Sequence, residues 1–313
     1  MRSTGACEVD ERACPFVDRE LVRWDGPTPG PLAASHPLGR GGVIVADFRV
    51  APLDRGSIAS VGGILRDGPD FVLLGHHGGP QVNFPPSFLA AAALAEGLRP
   101  WVTVACRDRD RLAVESELAA LAALAVDGVH CVTGDYVGPG VVADVSPVFD
   151  LDAFGLVALA RRHGLATSVA ANPASPPVGL RPGRIVEKVR AGAGSCFVNH
   201  AGPIATTAGF ITAARCEGAH IPFLPCVPVV TDGYSASVLG RFPGVVLPPQ
   251  LVESILGAPD PERAGIDAAV GLARALLAVD GVAGVNLSGA ACGGAPEHSA
   301  RIMATVARAI GAS

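Results

Sequence analysis

The chain has 313 residues, of which 49% are hydrophobic and only 5% aromatic, so it can bury a large core of small aliphatic side chains. Its 24 basic and 29 acidic residues give a net charge of −5 without any basic run, which argues against nucleic acid as a partner. The N-terminus lacks the apolar core of a secretory signal, and no uncharged apolar run is long enough to span a membrane. We therefore expect a cytoplasmic protein with no membrane partner.

The N-terminal segment differs in composition from the rest of the chain. Residues 1–40 are rich in proline, glycine and charge and show no sustained period, which predicts an irregular arm or lid. The remaining residues, 41–313, are expected to form one domain. The 8 cysteines show no CxxC spacing, and most lie in apolar runs, which favours core positions over metal or disulfide sites. The role of Cys7 and Cys14 in the arm stays open.

One unit recurs from Gly42 onwards, namely an Ala/Leu-rich helical stretch, a glycine near its end and a short apolar run typical of a buried parallel strand. The run GVIVADF is the first strand. The later junctions lie at Gly68, Gly97, Gly128, Gly164, Gly194, Gly218 and Gly281. Capping preferences predict helix starts at Ser87, Asp150 and Asp260, and VVLPPQLVESIL predicts an inserted short strand and helix.

Eight strands that alternate with helices predict an α/β protein with a single-domain (β/α)8 TIM barrel fold. The alternative is a doubly wound open sheet. It is disfavoured because no GxGxxG motif follows the first strand.

Polar residues at the C-terminal ends of the strands are the candidate site residues, because barrels of this kind build their active sites there. Asp47 follows strand 1 and Asp135 follows strand 4, and two carboxylates at one mouth suit acid/base work or stabilisation of a cation. The alternative is that each aspartate only orders its own loop or caps a helix. Other residues at this mouth are His76, His77, Gly78, Gly79, Arg107, Asn172, Asn199 and His200. Adjacent histidines usually diverge, so no metal site is expected.

An unusual charge run, CRDRDR, follows strand 3 at Cys106 to Arg111. We expect Asp108 or Asp110 to cap the following helix, and Arg109 and Arg111 to pair with Glu115 or to face solvent. Arg107 is nearest the strand end, where a guanidinium suits a phosphate or a carboxylate.

Four segments carry a resemblance to a known family, namely VTVACRDRDR to GVHCVTGD, VAANP, KVRAGAG and LPCVPVV. In order and spacing they resemble the methylenetetrahydrofolate reductase family. Members of that family are (β/α)8 barrels that use FAD to pass hydride from NAD(P)H to methylenetetrahydrofolate.

The resemblance implies roles for four residues of this chain. Asp135 would lie against the pterin and stabilise its iminium form, and Asp47 would replace the family's catalytic glutamate. His200 would replace a pterin-contacting glutamine, and Lys188 would contact FAD phosphates. The family's flavin threonine is missing from LGHHGG at residues 74–79, and its ExHP is replaced by ASPP at 174–177. The resemblance thus implies a folate site with weak or absent FAD binding.

The expected activity is reduction of 5,10-methylenetetrahydrofolate to 5-methyltetrahydrofolate with NAD(P)H. Asp47 would protonate the leaving nitrogen and Asp135 would stabilise the cation. The substrate would be contacted by His200, Asn199, Asn172, His76 and His77, and the cofactor by Arg107, Lys188, Gly78 and Gly79. A flavin-independent folate-dependent one-carbon transferase and a non-catalytic folate-binding barrel remain alternatives, and a homo-oligomer is also open.

Overall fold

The structure is a computed structural model that describes residues 37–39, 41–75, 82–134, 146–242, 244–289 and 295–311. Eight strands form a closed barrel in which each pairs with the next along the chain and the last with the first. Every pairing is parallel. The strands are β1 (Val43–Phe48), β2 (Phe71–Leu74), β3 (Pro100–Ala105), β4 (Gly128–Val132), β5 (Thr167–Ala171), β6 (Ser195–Val198), β7 (Phe223–Pro228) and β8 (Gly284–Ser288). The predicted (β/α)8 barrel is confirmed.

Helices surround the barrel and bury their apolar faces against the outer side of the strands. In the described ranges they are α1 (Arg55–Leu65), α2 (Pro86–Ala95), α3 (Arg111–Ala123), α4 (Ala153–Arg162), α5 (Arg181–Arg190), α6 (Ile204–Cys216), α7 (Gly233–Gly240), α8 (Pro249–Leu256), α9 (Pro261–Leu277) and α10 (Pro296–Gly311). None of them combines the length and the apolar character needed to cross a lipid bilayer. The predicted arm at residues 1–40 lies outside the described residues except for the short turn at 37–39.

Local capping decides where the helices begin. Asp260 caps α9 as expected, because its carboxylate accepts the backbone N–H of Arg263. The start expected at Asp150 is corrected, since α4 is capped by Asp152 two residues later. The start expected at Ser87 also shifts, to the Pro85–Pro86 pair.

The segment VVLPPQLVESIL forms the predicted helix, α8, but not a full strand. Val246 makes a single parallel bridge to Ala201, in the loop after β6. The prolines at 248 and 249 end further pairing because they have no backbone N–H to donate.

The half of the barrel interior nearer the N-terminal ends of the strands is filled by a buried apolar cluster. It consists of Leu38, Val43, Val45, Phe71, Trp101, Phe197 and Leu224. A Cβ atom on Gly128 would come within 2.4 Å of the Trp101 indole, so the glycine makes room for the ring. The indole Nε1 donates a hydrogen bond to Ser168 Oγ across the interior at 2.8 Å. This packing closes the barrel interior at the N-terminal ends of the strands.

The CRDRDR run is largely a helix start. Asp110 caps α3 by accepting the N–H of Ala113, and Arg111 lies 3.8 Å from Glu115, as expected. Arg109 instead lies 3.6 Å from Glu117, which faces it from the second turn of α3. Arg109 also lies 4.0 Å from Asp108. Four of the five charged residues of the run therefore cap α3, pair with a residue of α3 or pair within the run.

Replacement of Asp110 by Ala is expected to lower the free energy of unfolding by about 1 kcal/mol, because an N–H of the first turn of α3 loses its acceptor. Urea denaturation measures this difference. The control is Asp67→Ala, at an exposed turn position after α1. Equal destabilisation by the two variants would contradict the assigned cap.

Candidate functional site

A cavity of about 370 Å³ opens at the C-terminal ends of the strands. This volume lies within the range of about 300–1,000 Å³ typical of small-molecule sites. Every strand or the residues just after it contribute to its lining, and α7 with the segment after it covers one side. Its polar lining residues are Asp47, Arg49, Thr103, His130, Asn199, His200, Asn286 and Ser288.

Asp47, on β1, is the carboxylate at the wall of this cavity. Asn286 on β8 donates from Nδ2 to Asp47 Oδ1 at 3.1 Å and to Ser288 Oγ at 2.7 Å. Ser288 and the backbone of Gly289 also hydrogen bond to the Asp47 carboxylate. Burial raises the pKa of Asp47 from 3.8 to about 6, although these donors oppose the shift. Asp47 can therefore hold or release a proton near neutral pH, as a general acid or base must.

His200 and Asn199 follow β6 and line the same cavity, as the sequence predicted for their place in the fold. His200 is buried, and burial lowers the pKa of its imidazole to about 4, so the ring is neutral at pH 7. Its Nε2 has no hydrogen-bond partner among the described residues. The backbone carbonyl of His200 accepts the N–H of Val246 at 2.9 Å, which holds the covering segment in place.

His130, on β4, stands at the inner end of the cavity. Its Nδ1 lies 2.8 Å from Ser168 Oγ, and its ring packs edge-on against Phe197 with the ring centroids 4.9 Å apart. Burial lowers the pKa of His130 to about 3, so this ring is neutral as well. The inner end of the cavity therefore carries an uncharged polar ring that is held on two sides.

Three further candidates do not line this cavity. Asn172 follows β5 and packs on Gly244, where a Cβ atom would come within 1.3 Å of its Nδ2. Arg107 lies over the Phe149 ring, 5.0 Å from its centroid, with its Nε buried. Lys188 on α5 donates from Nζ to the carbonyl of Ala170 at 2.6 Å.

Five predicted site residues lie outside the described residues. Asp135 belongs to the undescribed range 135–145, and His76, His77, Gly78 and Gly79 belong to 76–81.

Sequence reasoning missed His130, Arg49 and Asn286 as residues of this cavity. The signal that identifies them is the period of two along a strand, because alternate side chains of a barrel strand face the interior. Asp47 faces inward and Arg49 follows it by two positions. Asn286 and Ser288 are likewise two apart in GVNLS. The alternation is hard to recognise beforehand because both faces of a parallel barrel are buried.

Comparisons with known proteins agree with the fold. No protein-family model matches the sequence, and no curated protein is significantly similar to it. Among solved structures, an uncharacterized protein from Clostridium thermocellum, which binds two copies of 5-methyl-5,6,7,8-tetrahydrofolic acid, superposes with a TM-score of 0.61. That match has 11% identity and covers 88% of this chain and 98% of the other.

Two enzymes give weaker matches. Mycobacterium tuberculosis tryptophan synthase gives a TM-score of 0.49 at 14% identity, covering 90% of this chain and 97% of its own. A 2,3-dimethylmalate lyase gives 0.45 at 10% identity, covering 80% and 78%. The likeness to the Clostridium thermocellum protein, at 11% identity, establishes a shared fold and nothing finer.

Proposed function

We propose that the cavity binds a reduced folate and that the protein reduces 5,10-methylenetetrahydrofolate to 5-methyltetrahydrofolate with NAD(P)H. The observation that carries this proposal is the buried Asp47 carboxyl, whose pKa near 6 lets it deliver a proton inside a cavity of pterin-binding size. Folate as the ligand is supported by the resemblance of the strand-end motifs and by the fold shared with the protein that binds 5-methyltetrahydrofolic acid.

The reaction needs one proton and one hydride. Asp47 would donate its proton to N10 as the bond between N10 and the bridging methylene breaks, which leaves an iminium cation at N5. Asp135 is proposed to stabilise that cation, and His200 and Asn199 to orient the pterin. Hydride from the reduced nicotinamide would then add to the methylene carbon, giving the 5-methyl product and NAD(P)⁺.

The described residues do not form a cradle for the diphosphate of FAD. Lys188 is directed to the carbonyl of Ala170, and Arg107 lies against Phe149. Within the described lining, Arg49 is the one cationic side chain that faces the cavity, and it also approaches the Tyr234 hydroxyl at 3.4 Å. The proposal has the nicotinamide deliver hydride directly to the folate because the sequence departs from the resembled family at its flavin contacts, in LGHHGG at 74–79 and ASPP at 174–177.

The limited number of cationic side chains in the described lining favours a second candidate function. A folate-dependent one-carbon transferase would use Asp47 to open the same ring but would pass the methylene carbon to a nucleophile. It needs no dinucleotide diphosphate site, so a lining in which the described cations are limited to Arg49 suits it.

The test is to mix the purified protein with 5,10-methylenetetrahydrofolate and NADH or NADPH and to follow the nicotinamide absorbance. We expect colourless protein that oxidises one of the two nucleotides only when the folate is present. Tetrahydrofolate, which lacks the methylene bridge, is the matched control and should bind without supporting oxidation.

Each contrary result has a distinct meaning. Binding of the folate without nucleotide oxidation would contradict the reductase and leave the transferase. A yellow protein with bound flavin would contradict direct transfer from the nicotinamide. Absence of folate binding would contradict the proposal as a whole.

A further inference from the structure

We infer that His130 is a fixed neutral N–H donor at the inner end of the cavity, and that it selects a ligand ring with a carbonyl oxygen at that point. The choice of ligand rests on the proposed function above. The state of the imidazole rests only on the packing inside the barrel.

The hydrogen bonds of Ser168 place the proton of His130. The Trp101 indole can only donate, so its Nε1 at 2.8 Å uses a lone pair of Ser168 Oγ. The single hydroxyl proton of Ser168 can go to His130 Nδ1 at 2.8 Å or to the carbonyl of Val129 at 3.5 Å. The shorter contact favours Nδ1, and a neutral imidazole that accepts at Nδ1 carries its own proton on Nε2.

The ring is held so that this proton faces the cavity. Ser168 is the register partner of His130 on β5 and is fully buried, while His130 itself lines the cavity. Phe197 packs against the ring and limits its rotation. Burial keeps the pKa of His130 far below 7, so the ring stays a neutral donor throughout the physiological range.

A fixed donor discriminates between ligand rings. The pterin of a folate carries a carbonyl oxygen at position 4, which can accept from Nε2. In a 2,4-diaminopteridine an amino group replaces that oxygen, so two donors would face each other. Sites that bind through a buried polar group reject analogues that cannot pair with it.

The first experiment is ¹⁵N NMR of the histidine rings in the free protein. We expect a neutral Nε2–H tautomer for His130 at pH 7, with an Nδ1 resonance that moves when Ser168 is replaced by Ala. The matched control is Ser195→Ala, because Ser195 is also fully buried in the barrel interior but its Oγ has no partner among the described residues. An Nδ1–H tautomer or a charged ring would overturn the inference regardless of any folate result.

The second experiment compares the dissociation constants of 5-methyltetrahydrofolate and its 4-amino analogue. We expect wild-type protein to prefer the 4-oxo compound by roughly tenfold or more, and His130→Leu to lose that preference. Equal affinities in the wild type would overturn the inference alone. Failure of both compounds to bind would overturn the proposed function and with it the ligand assigned to His130, whereas the NMR result would stand.

Discussion

Replacement of Asp47 by Asn is expected to lower the turnover of methylenetetrahydrofolate by about 10²- to 10⁴-fold, because the amide cannot donate a proton to the leaving nitrogen. In the wild type, kcat/KM should fall as the pH rises through about 6, since the acid form of Asp47 is then lost. The variant should lack this limb of the pH profile. Steady-state rates between pH 5 and 8.5 measure both effects.

Asp70→Asn is the control for this substitution. Asp70 accepts the N–H of Ile44 at the opposite end of the barrel, so its replacement should leave the turnover unchanged. A pH profile of unchanged shape in Asp47→Asn would contradict the assignment of Asp47 as the proton donor.

The stability of the same variant tests the environment of Asp47 without any substrate. Folding raises the pKa of Asp47 from 3.8 to about 6, so the folded protein holds this proton more tightly than the unfolded chain does. The contribution of this proton to the free energy of unfolding is therefore fully present below pH 4 and is lost as the pH rises through 6. A shift of this size corresponds to about 3 kcal/mol. Asp47→Asn should therefore be the more stable protein at pH 8, by up to about 3 kcal/mol, and should lose this advantage near pH 4.

Replacement of Gly128 by Ala is expected to lower the free energy of unfolding by about 3 kcal/mol. The new Cβ would lie 2.4 Å from Trp101 Cη2, so the indole must move, and its hydrogen bond to Ser168 would be strained or lost. Chemical denaturation followed by circular dichroism measures the change.

Gly271→Ala is the matched control for Gly128→Ala. Gly271 is exposed in α9 with no atom within 4 Å of an added Cβ, so alanine there should stabilise the helix slightly. If both variants kept wild-type stability, the packing of Trp101 over Gly128 would be wrong.

The barrel could be predicted from the sequence because its repeating unit leaves local signals. A glycine near each helix end and the short apolar run after it mark the junctions, and Gly97, Gly164 and Gly281 indeed have positive φ angles of 78°, 76° and 88°. The cap of α4 could not be decided from the local sequence, because DLDA at residues 150–153 offers two aspartates within three residues. Only the packed structure shows that Asp152 caps α4, while Asp150 accepts the N–H of Arg111.

The candidate site could be predicted only in part. The rule that sites lie at strand ends leads to Asn199 and His200, which follow β6. It also leads to Asp47, although the structure places Asp47 on β1 itself rather than after it, and the fold brings all three to one cavity. It does not reveal that Asn286 and Ser288 hydrogen bond to Asp47, because those contacts join residues 239 or more positions apart across the closure of the barrel. Sequence spacing also does not tell which way a helix side chain points. Only the structure shows that Lys188 Nζ is directed to the carbonyl of Ala170.

A crystal structure of the protein with bound 5,10-methylenetetrahydrofolate or 5-methyltetrahydrofolate tests the function most directly. We predict that the pterin occupies the cavity at the strand ends, with N10 within about 2.6–3.2 Å of the Asp47 carboxyl or one water away. A folate bound elsewhere, with Asp47 making no contact to it, would contradict both the folate site and the role of Asp47 as its proton donor.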